Sequence, residues 1–321
     1  MEDKRYEPCE AKEFPTISII VPMYNEAENI GPFYERLRKV LDEIGEPYEI
    51  ICVNDGSTDA TLEKLLKLRE KDQNVKVIDF SRNFGKEIAL TAGLDFSSGM
   101  AIIPIDADLQ DPPELIPHLV AKWKEGYEVV YATRKSRHGE SWFKKLAAHA
   151  FYRLAEKIMD INIPRDTGDF RLMDRSVVEA LKALRERNRF MKGLFAWVGF
   201  KQAAVHYERE PRHKGKTKWN YFKLCNLAIE GITSFSYVPL RLATYVGLVV
   251  ALLAFLYAAY IVMVTLIYGN PVPGWPSLVT IVLFLGGVQL ICTGILGEYI
   301  GRIYNEVKQR PVYMVRQKWG L

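Results

Sequence analysis

Between residues 242 and 297 the chain contains no Asp, Glu, Lys or Arg. A globular domain carries about 25% charged residues, and the whole chain conforms at 26%. The charges are therefore concentrated outside these 56 residues, and a wholly water-soluble protein is close to excluded. Two segments in this tail, 242–268 and 278–300, are each long enough for a hydrocarbon core of about 30 Å, which needs about 20 residues. A buried hairpin in a soluble core is the alternative, but neither segment has the polar stripe such a helix would show. Gly269-Asn-Pro-Val-Pro-Gly274 forms the turn between them. Arg241 lies before the pair and Arg302, Lys308 and Arg310 after it, with no basic residue in the turn. The positive-inside rule then puts both termini and the globular part in the cytoplasm. Residues 1–16 are polar and acidic, without a signal-peptide core, in keeping with that expectation. Gly286, Gly287, Gly294 and Gly297 suit close helix packing within or between protomers, and so a homo-oligomer through these helices.

The first half alternates between short apolar runs and amphipathic stretches. Ile17-Ser-Ile-Ile-Val21, Tyr48-Glu-Ile-Ile-Cys-Val53, 75–80, 100–105 and 128–133 read as strands; 26–44, 59–71, 86–96 and 113–124 read as helices. Continuous apolar runs suit strands covered on both faces, and the alternation predicts an α/β fold with a mainly parallel sheet. Further on, 143–159 and 219–237 read as amphipathic helices, 176–184 and 190–198 as short helices, and 169–173 and 200–207 as strands. The expected organisation is a polar tail over 1–16, an α/β domain over 17–218 and a juxtamembrane helix over 219–240. A two-helix hairpin over 241–303 and a cytoplasmic tail over 304–321 complete it.

Ligands of such sheets bind beyond the carboxyl ends of the strands. After the fourth run comes Asp106-Ala-Asp108-Leu-Gln110-Asp111, whose carboxylates repel unless a cation neutralises them. Mg²⁺ or Mn²⁺ with substrate phosphates would do so; an acidic capping loop before Pro112-Pro113 is the other reading. No lysine is evident to compensate these acids. After the second run, Asp55 is placed to accept from a ribose or base, while Thr58 or Asp59 caps the next helix. After the first, Tyr24 offers a stacking face and Asn25 and Glu26 polar edges. Cys9, Cys52, Cys225 and Cys292 show no metal or disulfide spacing. The net charge of +4 is too small to argue for a nucleic-acid partner.

Val21-Pro-Met-Tyr-Asn-Glu26, Val53-Asn-Asp-Gly-Ser57 and Asp106-Ala-Asp-Leu-Gln110 together resemble the signature of family 2 glycosyltransferases with the GT-A fold. Thr167-Gly-Asp-Phe-Arg-Leu-Met-Asp174 and the two-span tail resemble the bactoprenol (undecaprenyl-phosphate) glucosyltransferase branch more than the related dolichyl-phosphate mannose synthases. The resemblance implies an inverting, metal-dependent transfer of a sugar, glucose from UDP-glucose first, from a nucleotide-sugar to a polyprenyl phosphate at the bilayer. Mannose from GDP-mannose and an aminoarabinose-type donor stay open. It further implies that Pro22, Tyr24, Glu26, Val53, Asp55, Asp106 and Ala107 line the donor, and that Asp106, Asp108 and Gln110 hold Mg²⁺ or Mn²⁺. Asp169 matches a catalytic aspartate, as a base or an acceptor-orienting group; a structural strand residue paired with Arg171 is the plainer reading. Arg134 matches a phosphate-reaching arginine. Arg212-His-Lys-Gly-Lys-Thr-Lys218 matches a basic segment whose Arg212 and Lys218 clasp the acceptor phosphate or the donor diphosphate; a solvated loop beside anionic lipid is the simpler role. Lys144 and Lys145 are further candidates for the lipid phosphate. A processive polysaccharide synthase would carry a QxxRW segment and more spans. A non-catalytic scaffold would not need the intact acidic set.

Overall fold

The computed structural model describes residues 15–134, 167–184, 186–187, 189, 191–207, 236, 238–268 and 274–321. Helix readings at 143–159 and 219–237, the basic segment with Arg212 and Lys218, Lys144, Lys145 and most of the 269–274 turn lie outside them.

The first half is a sheet flanked by helices. In chain order it runs β1 (Ile17–Met23), α1 (Ile30–Ile44), β2 (Tyr48–Asn54), α2 (Thr61–Lys71), β3 (Val75–Phe80), α3 (Lys86–Phe96) and β4 (Ala101–Pro104). A 3₁₀ turn (Pro113–Leu115) then leads into α4 (Ile116–Lys124), β5 (Val129–Arg134), β6 (Thr167–Asp174), α5 (Arg175–Ala183), α6 (Met191–Trp197) and β7 (Gln202–Tyr207). The sheet order is β7-β5-β6-β4-β1-β2-β3-β8, where β8 (Val315–Trp319) follows the hairpin in sequence. Pairings among β1 to β4, and of β5 with β7, are parallel. β6 runs antiparallel to β4 and β5, and β8 antiparallel to β3.

The apolar runs become strands because helices cover both faces. Ile17, Ile19, Ile20 and Val21 are wholly buried, and α1 adds Phe33, Leu37, Val40 and Leu41 from one stripe. α1 starts four residues later than its periodicity suggests, because Asn25 takes a left-handed φ of 55°. The chain then turns through Ala27 to Asn29 before the helix begins. At its other end Gly45, at φ 71°, returns its N–H to the Leu41 carbonyl, the left-handed cap that glycine adopts without strain.

β8 is the element the sequence reading lacks. Residues 304–321 read as a cytoplasmic tail, yet Val77 pairs with Trp319, and Asp79 with Gln317. Trp319 packs against the main core. Tyr313 stacks on Phe80 at 5.3 Å and donates its hydroxyl to Asp95 at 2.8 Å. Arg316 reaches the buried Asp79 at 3.4 Å, which also accepts from Asn54 at 2.7 Å. Val315-Arg-Gln-Lys-Trp319 is too polar at its centre to announce a strand; the open edge of β3 supplies the missing partner.

The hairpin is α7 (Val238–Tyr268) and α8 (Trp275–Val307), both longer than the apolar segments because the helices continue into their polar flanks. Leu240–Tyr268 and Phe284–Val307 are long and apolar enough to cross a membrane. Their large side chains point outward, with Phe255 71% and Leu266 82% exposed; water would not tolerate so continuous an apolar surface. Within the hairpin Tyr299 donates to the Ser236 carbonyl at 2.7 Å. Among the described residues, a Cβ at Gly286, Gly287, Gly294 or Gly297 would meet nothing within 4 Å.

One buried charge ties β1, β2 and β3 together. Glu49 is 2% exposed and accepts from the Ser18 hydroxyl, Lys76, and the Ser98 N–H and hydroxyl at 2.5–2.9 Å. Burial pushes its carboxyl up, but these donors outweigh burial and hold it below the usual glutamate value of 4.5. The lowered folded value means the stabilisation is complete above about pH 4.5 and is lost as pH falls through the folded value. Glu49→Gln, which leaves Lys76 without its counter-charge, is expected to cost about 3–5 kcal/mol at neutral pH and to flatten the acid limb. Thermal unfolding of both proteins from neutral to acid pH checks this; parallel curves would rule it out.

Candidate active site

Four parallel strands, β1 to β4, end on one rim, and the loops that follow them meet there. β6 runs the other way, so its first residues arrive at the rim where β4 leaves. Asp169 thus meets Asp106, although one opens a strand and the other follows one.

The meeting is mediated by Lys86, the first residue of α3. Its ammonium lies 2.8 Å from the Asp106 carboxylate and 2.7 Å from that of Asp169. Burial opposes the charge, but the two carboxylates outweigh it and raise the ammonium well above the usual lysine range. The expectation that no lysine compensates the acidic loop is therefore corrected. Inspecting the strand ends would have found Lys86 had the loop after β3 been included. Asp169 is 15% exposed at its side chain. Asp169 lies in the same strand as Arg171, and its charge acts on that guanidinium as well as on Lys86. Arg171 lies beneath, over the Phe195 ring at 3.9 Å, and donates to the Gly168 carbonyl at 2.8 Å. Burial lowers its guanidinium to about 10, against the pull of Asp169 and Glu87.

Asp108 is 7% exposed and accepts the Gln110 N–H at 3.1 Å. Leu109 between them is held at φ 60°, which costs a residue with a Cβ roughly 1–2 kcal/mol; its burial offsets that cost and fixes the loop. Ala107 is buried in the core, and Asp111 is buried and accepts from the Tyr207 hydroxyl. Among the described residues no three His, Cys, Asp or Glu side chains cage a metal. Mg²⁺ commonly uses one or two carboxylates and completes its shell with water and phosphate oxygens. Asp106 and Asp108, two hard oxygen ligands at a rim open to a diphosphate, fit that mode.

Asp55 is 3% exposed, and its carboxylate accepts the N–H groups of Phe84 at 2.6 Å and Gly85 at 2.9 Å. Burial raises its carboxyl despite those donors and nearby Arg82. It thus fixes the loop that carries Lys86. Gly56 beside it sits at φ 64°, where a Cβ would come within 2.5 Å of the Arg82 and Asn83 backbone; only glycine permits that approach. The rest of the segment braces the first loop. Thr58 N–H reaches Asn25 at 2.8 Å, the Ser57 hydroxyl accepts from Asn25 N–H at 3.0 Å, and the Thr61 hydroxyl accepts from Glu26 N–H at 3.0 Å. Neither Thr58 nor Asp59 is the N-cap of α2; that place is Ala60's, and Asp59 instead accepts from Thr61 and Ala27.

Tyr24 is 36% exposed at the rim, Pro22, next to last in β1, is partly exposed, and Glu26 accepts from Asn29 at 2.6 Å. Val53 differs from expectation. It is wholly buried beneath the sheet with Ile78 and Phe80, so this position offers no side chain to a donor. Arg134 closes β5 opposite Tyr207, at the same rim as the ends of β1 to β4.

Residues 18–182 match the family described as Glycosyl transferase family 2, and residues 238–303 match the GtrB C-terminal hairpin. An uncharacterized glycosyltransferase of Synechocystis sp. is 56% identical over 95% of this chain and 96% of its own. The SfII prophage-derived bactoprenol glucosyl transferase of Shigella flexneri is 52% identical over 94% of this chain and 97% of its own. A prophage bactoprenol glucosyl transferase homolog of Escherichia coli is 51% identical over 94% and 98%. The chain belongs to glycosyl transferase family 2, and its sheet is of the GT-A type.

Asp55→Ala is expected to lower stability by about 1–3 kcal/mol, because two backbone donors lose their acceptor. Asp55→Asn, which keeps an acceptor oxygen, should recover part of it. Thermal unfolding of the two variants checks this; equal losses would show that the carboxylate shape is not what holds the loop.

Proposed function

We propose that this family 2 glycosyltransferase moves glucose from UDP-glucose to a polyprenyl phosphate, inverting C1, on the cytoplasmic leaflet. The observation that carries the reading is similarity over nearly the whole length, hairpin included, to proteins named bactoprenol glucosyl transferases. The acidic rim suits the chemistry. A phosphate oxygen of the acceptor attacks C1 as the bond from C1 to the diphosphate breaks, and the electron pair leaves with the nucleoside diphosphate. The acceptor is already anionic, so Asp169 has little proton to remove. Its place beside Asp106 and Lys86 suits a group that orients the acceptor phosphate.

Asp106, Asp108 and Gln110 would hold Mg²⁺ or Mn²⁺, which when bound stabilises the charge of the departing diphosphate as a Lewis acid. Tyr24 offers the donor base a stacking surface, and Arg134 ends its strand on the same rim. Arg212 and Lys218 are assigned to the acceptor phosphate on the family pattern.

The membrane reading draws on two features: the paired apolar helices, and β8, which follows them in sequence yet belongs to the same sheet as β1 to β7. A chain that leaves a domain, crosses twice and returns to that domain crosses an even number of times. Flanking Arg241, Arg302, Lys308 and Arg310 favour the cytoplasm for that domain.

Two outcomes are expected. Purified protein given UDP-glucose and undecaprenyl phosphate should form lipid-linked glucose only with a divalent cation, and Asp108→Asn should lower the rate about a hundredfold or more. Product from GDP-mannose instead, or full turnover in excess chelator, would refute the donor or the metal respectively. A cysteine placed at Asn270 should react with an impermeant reagent outside intact cells, whereas one near residue 321 should not; the reverse pattern would invert the topology.

A further inference from the structure

Lys86 occupies the place where Asp106 and Asp169 converge. Its ammonium reaches both oxygens of Asp106 at 2.8 Å and one of Asp169 at 2.7 Å, charge-assisted contacts. A divalent ion on Asp106 needs oxygens near 2.0–2.1 Å and cannot share them with an ammonium between the same carboxylates. Asp108, the second carboxylate assigned to the ion, already accepts from the Gln110 N–H, and Asp111 from Tyr207. Lys86 is nevertheless not locked in. Its side chain is 43% exposed on a flexible four-carbon stem, rooted at the N-terminus of α3 in the loop that Asp55 fixes.

We propose that Lys86 is a positioning residue that keeps the Asp106–Asp169 pair closed to a free divalent cation until a nucleoside diphosphate arrives. This rests on the reading of Asp106 as a metal ligand. A cation entering alone must break both lysine contacts and receives few ligands in return. A cation entering with a nucleoside diphosphate brings phosphate oxygens, which complete its own shell and give the displaced ammonium new acceptors. Metal and nucleotide are therefore coupled through Lys86, and by linkage each raises the affinity of the other by the same factor. Displacing Lys86 also releases Asp169 from its closest cationic partner, at the step when an acceptor phosphate must be oriented.

The test is Mn²⁺ titration of the full-length protein in detergent, with unbound Mn²⁺ read by electron paramagnetic resonance. Arms contain no nucleotide, UDP or GDP, each corrected for Mn²⁺ held by nucleotide alone. For the wild type, affinity is expected to be at least tenfold weaker without nucleotide than with the better of the two. Lys86→Met should bind Mn²⁺ alone at least tenfold more tightly than wild type and show a smaller nucleotide effect. Lys86→Arg, which can still bridge two carboxylates, should behave as wild type. Equal affinities of wild type and Lys86→Met for Mn²⁺ alone would overturn the role of Lys86 while leaving the metal assignment standing. Absence of Mn²⁺ binding in every arm would overturn both. Should Lys86→Met fail to fold, the wild-type arms still decide, since an affinity indifferent to nucleotide contradicts the coupling.

Discussion

Carboxylates gathered on one rim must each be neutralised, and much of the local architecture answers that requirement. A parallel sheet delivers the ends of β1 to β4 to one edge, and the reversed β6 brings Asp169 to the same place. Left unpaired, acids at this spacing would repel and take up protons. Each is held in its own way: Asp106 and Asp169 by a shared ammonium, Asp55 by two backbone N–H groups, Asp108 by the amide of Gln110, Asp111 by a tyrosine hydroxyl. These partners differ in how readily they yield. Backbone amides and a buried tyrosine are fixed by the fold, whereas a lysine at the start of a helix can swing. The exchangeable partner sits on Asp106 and Asp169, while Asp55 and Asp111 have fixed partners.

How far this was legible in the sequence depends on the range of the interactions. β1 to β5 and their helices were readable because each carries its own periodicity, and the hairpin because an uncharged run needs no partner to be recognised. Boundaries shifted where loop chemistry intervened, as at Asn25 before α1. Asp106 and Asp108 could be picked out as neighbours in sequence. Lys86 could be placed on the rim through the loop after β3, but its bridging of Asp106 to Asp169, 20 and 83 residues away, depends on the antiparallel β6. The orientation of Val53 was hidden for a related reason. A motif records that a position matters without saying whether its side chain faces ligand or core, and here it faces Ile78 and Phe80. β8 was invisible because an edge strand with one polar face draws its conformation from the strand it joins.

The site also shows where stability and function pull apart. Leu109 is held at a backbone angle that its Cβ disfavours, and Asn25 adopts a similar one that asparagine tolerates more easily. Both lie in rim loops, and both are secured from elsewhere, Leu109 by burial and Asn25 through Ser57 and Thr58. Glu49 joins β1, β2 and β3 near the starts of β1 and β2, the end of the sheet opposite the rim. The strain at the rim and the buried charge that ties the strands therefore lie at opposite ends of the sheet.

The placement of β8 bears on how the protein is made. In the order of synthesis β3 precedes both long helices and β8 follows them. Until the hairpin has left the ribosome, the edge of β3 has no neighbour, Phe80 lacks the ring of Tyr313, and Asp79 lacks Arg316. Completion of the soluble half thus waits on delivery of the apolar half. A chain whose helices stall before emerging carries an unfinished sheet with an exposed strand edge, a template for pairing with another chain.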